Sequence, residues 1–270
     1  MTPNCRGYSN QESFSTHQPT INEPYLQQKS MTSTAQHRAR VALITSIVFT
    51  VVIYALPFGS ALAYPLVLLS TLAHEVGHGL AAMMVGSEFE SFVLYSDGSG
   101  AAITVGNPGR LASGFISAGG LIGPAIAAAG CFVVGKHEKA SKNALVVIGV
   151  LLVVALVMVI RNIFGWVFVG SLSTICLWSG IKASKQTAQM VVLFMGVQLA
   201  MSVFSRSDYL FTSVANTGLG ASPSDVELMS RALFLPYWFW GLVCGGISIA
   251  TLCWGLRIFW GNTQKRPHAV

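Results

Sequence analysis

The feature that most constrains this sequence is a series of apolar blocks, each close to the length of a membrane span. They lie at about residues 41–58, 61–86, 111–135, 144–160, 163–181, 187–204 and 232–260. A helix needs about 20 mainly apolar residues to cross a bilayer, and the block at 61–86 would reach about 39 Å as a helix. The apolar stretch 144–181 is too long for one crossing, at about 57 Å. RNIFG at 161–165 is read as the turn that divides it. The expectation is an all-α polytopic membrane protein with a bundle of about six to seven transmembrane helices.

Charge supports the same reading. Charged residues make up 10% of the chain, against roughly 25% in soluble domains, too few to dress a water-exposed surface. The net charge of +6 comes from lysines and arginines placed mainly in the tails and between the blocks. Basic residues flank membrane spans in this way, and neither a basic face nor a recognised module points to nucleic acid. With seven spans, the lysine-bearing loops share a side with the C-terminal tail, and the charge rule puts the N-terminal tail on the outside. Four of the five cysteines sit in apolar blocks without CxxC spacing, so neither a disulfide framework nor a thiolate metal site is expected.

Three regions follow from this pattern: a flexible polar tail at 1–40, a membrane-embedded domain at 41–260 and a polar tail at 261–270. Met31 could serve as the start of the chain, and no targeting peptide is expected. Within the domain, residues 87–110 break the pattern. Two short stretches, 89–95 and 101–105, flank the turn-rich SDGSG, which predicts a short hairpin-like loop at the membrane surface or lining a polar entry. The small-residue run SAGGLIGPAI, at 117–126, lets another helix approach closely, so the third span is expected inside the bundle.

The chemistry is concentrated in His74-Glu75-Val76-Gly77-His78. On a helix the two histidines stand one turn apart on the same face and can meet one metal ion. Glu75 is placed as general base for the attacking water, with zinc lowering that water's pKa and polarising the scissile carbonyl. His74 and His78 are the histidines that fall inside a predicted span, and Glu75 is the acidic residue that does. Ionisable groups at membrane depth mark function. One zinc ion per chain is expected.

Two histidines leave a catalytic zinc one protein ligand short. His17, His37 and His268 lie in tails and His137 lies in a lysine-rich loop, which turns attention to carboxylates. The second and sixth blocks cross in the same direction, so Asp208, just beyond the sixth, lies at the same side as the end of the His78 helix. Asp225, later in the same loop, is the rival third ligand. Each has a plain structural alternative: Asp208 could pair with Arg206, and Ser224 or Asp225 could cap the helix that follows. Asn162 is a candidate substrate or oxyanion contact, since a zinc protease gains from a donor opposite the metal. Asn107, Arg110 and Arg161 fit interfacial anchoring, and Gln198 a hydrogen bond between helices.

TLAHEVGHGLAAMMVG, the SDGSG turn, SAGGLIGPAI and RNIFG together resemble the M50B-like branch of the site-2 protease family of intramembrane zinc metallopeptidases. The resemblance covers roughly 71–235. It implies His74 and His78 as zinc ligands, Glu75 as catalytic base and an aspartate from a later helix as third ligand. It also implies that RNIFG and 205–231 lie near the site, and that SDVELMSRALFLPYWFW is a family segment ahead of the last helix. The NxxPxxxLDG stretch of better-known members does not occur, and no insertion is long enough for a PDZ-like domain. The implied substrate is a transmembrane or membrane-associated protein segment, cut within or beside the lipid, and the cell membrane is the expected location. Two other functions fit the same residues: a metal or proton transporter using the His74-Glu75-His78 cluster, which would call for further ionisable groups at depth, and a non-catalytic membrane scaffold.

Overall fold

The computed structural model describes residues 23–205, 208–217 and 220–261. Their elements run in the order α1 (Glu23–Ala55), α2 (Gly59–Met84), β1 (Glu88–Leu94), β2 (Gly100–Val105), α3 (Arg110–Gly135), α4 (Glu138–Met158), α5 (Ile163–Ile181), α6 (Lys185–Ser205), β3 (Val214–Thr217), β4 (Gly220–Pro223), α7 (Asp225–Leu233) and α8 (Tyr237–Trp260). A single 3-10 turn, Asp208–Phe211, lies between α6 and β3. Seven of the helices are long and apolar enough to cross a membrane, and the short α7 stands apart from them. The chain is a multi-pass integral membrane protein.

Helix boundaries differ from the apolar blocks where polar residues extend a helix or a proline ends one. Helix α1 begins at Glu23, within the stretch that composition marks as tail. Helix α4 starts at Glu138 and takes in most of the lysine-rich segment expected as a loop. The last apolar block begins in the final residues of α7, a helix formed within the segment expected as a loop, and continues as α8. Phe234 adopts a left-handed conformation (φ 70°) at the end of α7, and Pro236 then leads into α8. Proline fixes its own backbone and disfavours helix in the residue before it, so one continuous helix cannot pass here.

Helix α3 is the hub, packed against α2, α6, α7 and α8. Its small residues permit this. A Cβ at Gly77 of α2 would collide with the backbone of Gly119, so the two helices meet backbone to backbone. Around them lies a core that includes Leu69, Ala125, Ala128, Phe132, Val192 and Leu193. Gln198, buried in α6, donates to Thr50 Oγ1 of α1, the interhelical hydrogen bond expected of it.

The hairpin β1–β2 is antiparallel, with Phe92 opposite Ala102 and an irregularity between Phe89 and Ser91. It lies lengthwise along α2 rather than at one end of it. Tyr64 Oη donates to Ser96 O (2.8 Å), Thr71 Oγ1 donates to Gly98 O (2.6 Å), and the Phe89 ring presses on Gly79. Phe92 and Leu94 are fully buried. Non-helical backbone in such surroundings must have its polar groups satisfied by protein, and the break between α4 and α5 does this. Phe92 N donates to Val159 O (2.7 Å) and Arg161 N donates to Phe92 O (3.2 Å). The side chain of Asn162 then takes both backbone groups of Leu94. Residues 159–162 thus pair with β1 through a single parallel bridge at Phe92 and Ile160 and the Asn162 side chain.

Candidate metal centre

Helix α2 carries His74, Glu75 and His78 through the middle of the bundle. The two imidazoles share a face, with Nε2 to Nε2 at 3.2 Å and rings nearly perpendicular (89°). Two contacts from α3 set the His78 ring. Its Nδ1 lies 2.8 Å from Ile116 O, which directs Nε2 toward His74. Gly120 leaves room for the ring, because a Cβ there would overlap Nε2, Cε1 and Cδ2. The Tyr209 ring stands edge-on to His74 at 6.1 Å.

Asp225 closes the cluster from the far end of the sequence. One carboxylate oxygen lies 3.1 Å from His74 Nε2 and the other 3.3 Å from His78 Nε2. Asp225 is the first residue of α7. Ser224, the N-cap, accepts a hydrogen bond from Glu227 N (3.3 Å) and donates to Thr212 O (2.6 Å), tying the helix start to the segment before it. At the other end of α7, Arg110 Nε donates to Ala232 O (2.8 Å) and Arg110 Nη2 to Arg231 O (3.0 Å), with its guanidinium 3.5 Å above the Phe234 ring. The short helix is therefore held at both ends. Between the two possible caps, Ser224 caps and Asp225 is left to turn inward. Burial alone would raise the Asp225 carboxyl, but His78 and His74 outweigh it and hold the group below the usual carboxylate range.

The donor set fits a small divalent ion. Ligand atoms placed tetrahedrally at zinc bond lengths of roughly 2.0–2.1 Å stand about 3.3–3.4 Å apart. Here the two Nε2 atoms are 3.2 Å apart, and each meets a different oxygen of the Asp225 carboxylate, His74 at 3.1 Å and His78 at 3.3 Å. Although Asp225 Oδ2 is buried and 3.1 Å from His74 Nε2, the approach does not have hydrogen-bond geometry, so this oxygen has no hydrogen-bond partner. His74, His78 and Asp225 form a group that could hold a metal ion.

Glu75, next to His74 on α2, accepts a hydrogen bond at Oε2 from Ala102 N of β2 (2.8 Å). Phe92, opposite Ala102, uses its backbone groups on the Val159–Arg161 side. The pair is therefore of the non-hydrogen-bonded kind, and the backbone groups of Ala102 face away from β1. Gly100 and Glu75 also touch closely, since a Cβ on the glycine would lie 3.0 Å from Glu75 Cγ.

Of the other residues expected from sequence, Asp208 lies in the 3-10 turn, and its side chain is outside the described residues. Asn162 is engaged with Leu94 and so reaches the site through the hairpin. Arg110, Ser224, Tyr209 and the Ile116 carbonyl were not singled out as site residues. Only Ser224 carried a usable signal, the S-x-x-E spacing of a helix start.

A helix-borne pair of histidines with an adjoining glutamate, met by a buried carboxylate inside a bundle of apolar spans, is the arrangement of a membrane metallopeptidase. The comparison with family models agrees: the Peptidase M50B-like model matches residues 41–255, and the chain belongs to that family. M50 peptidases are zinc enzymes in general. No curated protein and no solved structure matches the chain.

Proposed function

We infer that this protein is a zinc-dependent endopeptidase that cuts membrane-embedded or membrane-associated protein segments. The observation that carries this reading is the convergence of His74 Nε2, His78 Nε2 and the Asp225 carboxylate at 3.1–3.3 Å. In it, His74, His78 and Asp225 hold the metal, and Asp225 takes the role for which Asp208 is the competitor. A bound zinc ion would supply Lewis acidity, polarising a peptide carbonyl and acidifying water.

The remaining chemistry belongs to the chain. Glu75 is buried, 6% exposed, and placed beside the ligand pair to take a proton from the attacking water and return it to the leaving amine. The outward edge of β2 passes directly by Glu75, which supports an extended peptide as substrate, because a main chain can pair with a strand edge. Apolar spans surround the site, which supports a substrate that arrives through lipid.

The experiment is metal analysis of the detergent-purified wild type, Asp225→Ala and Asp208→Ala, alongside cleavage of a membrane-anchored test substrate. About one zinc per chain, lost in Asp225→Ala and kept in Asp208→Ala, is the expected result. A folded wild type that holds no zinc when the metal is supplied would defeat the reading. Zinc loss confined to Asp208→Ala would transfer the ligand role to that residue.

A further inference from the structure

The two histidines differ in what holds the rest of the ring. His78 is anchored through Nδ1 to Ile116 O. His74 turns Nε2 to His78 and Asp225, while its Nδ1 makes no hydrogen bond to a described residue. A metal-binding histidine nearly always donates its second N–H to a carboxylate, a carbonyl or water, which fixes its tautomer and orientation.

Beside His74 is a cavity of about 40 Å³, whose wall includes Ser70, Pro124, Ser202, Tyr209 and Ser248. It reaches His74 but neither His78 nor Asp225. A bundle interior between apolar spans would ordinarily be lined by carbon. Here three serines line it, each at least nine-tenths buried. Ser70 Oγ has no hydrogen-bond partner, and Ser248 makes no hydrogen bond to a described residue. Ser202 Oγ donates to Leu199 O (2.7 Å). Ser70 stands one turn before His74 on the same face of α2. Buried hydroxyls without partners are costly, more so where lipid excludes bulk water. The volume exceeds the roughly 10–15 Å³ that one water needs, and the wall offers the two to four polar partners that hold one.

We propose that this cavity is a hydration site in which ordered water, held by Ser70 and Ser248, accepts the Nδ1–H of His74 and sets its ring for the metal. The inference rests on reading His74 as a zinc ligand. The serines are positioning residues that act through the imidazole. The site gives His74, through water, the support that His78 receives from Ile116.

The test uses the full chain in detergent with isotope-labelled histidine, read by nuclear magnetic resonance with and without added zinc. In Ser70→Ala/Ser248→Ala the His74 ring signals should move while those of His78 stay, because Ile116 O is untouched. Ser248→Thr, which keeps a hydroxyl, should leave both in place, and each single alanine variant should give a smaller shift of the same kind. Zinc affinity of the double variant, measured by chelator competition, should fall about 10–100-fold. His74 signals identical in wild type and double variant would overturn the hydration site, whatever the zinc result. A wild type that takes up no zinc would instead sink the reading of the metal centre, and the ring signals of the metal-free protein would still decide the hydration site.

Discussion

The side chain of Asn162 bonds both backbone groups of Leu94, accepting from its N–H at 3.3 Å and donating to its C=O at 2.5 Å. The turn between α4 and α5 thereby secures the end of the hairpin that reaches Glu75. Asn162→Ala should leave two buried backbone groups without partners. The expected cost is about 1–3 kcal/mol of stability, read by denaturant unfolding, with lowered cleavage and undiminished zinc content. Loss of zinc along with the stability would show that Asn162 supports the metal centre and not the hairpin alone.

Glu75→Gln separates binding from chemistry. The glutamine keeps the shape of the side chain and can still accept from Ala102 N, so the variant should fold and carry about one zinc per chain. It lacks the basicity needed to take a proton, and cleavage should fall about 10²–10⁴-fold. Parallel metal analysis and cleavage of one substrate check both halves, and activity close to wild type would remove Glu75 from the base role.

The legible part of the site was the part carried on one helix. His74, Glu75 and His78 lie within about one turn of each other, so their common location follows from helical geometry, and the lengths of the apolar blocks pointed to six or seven spans. Asp225 was legible only as one of two aspartates in the same loop. Choosing between them depends on how residues 206–224 fold and on Ser224 taking the cap, which are tertiary facts. The pairing of β1 with Val159–Arg161 was similarly hidden, since a parallel contact between distant segments leaves no periodicity in either. The split at Phe234–Pro236 did have a local signal in the proline, but the apolar run on both sides masks it.

Arg110 shows why an interfacial charge can be structural. Its guanidinium donates to the last carbonyls of α7 and covers Phe234, joining the start of α3 to the end of the helix that presents Asp225. Arg110→Ala should lower stability by about 1.5–3 kcal/mol, the range for hydrogen bonds to a charged group. Arg110→Lys should recover only part of this, because an ammonium lacks the planar fork. Chemical denaturation of the three proteins checks the order, and equal stability of alanine and arginine forms would refute the capping role.

Gly120→Ala addresses the candidate metal centre without changing His74, His78 or Asp225. The added methyl would occupy the space of the His78 ring, and α3 cannot retreat easily because α6 and α8 also pack against it. The ring must therefore rotate or shift, which breaks its contact with Ile116 O and moves Nε2 away from His74 and Asp225. A displacement costing about 1.4 kcal/mol in metal binding is a tenfold loss of affinity, and the expected effect is at least that large. Chelator competition gives the affinity, and circular dichroism shows whether helix content is kept. Wild-type zinc affinity in a folded Gly120→Ala protein would mean that His78 tolerates another orientation, and that the observed ring position is not what the metal requires.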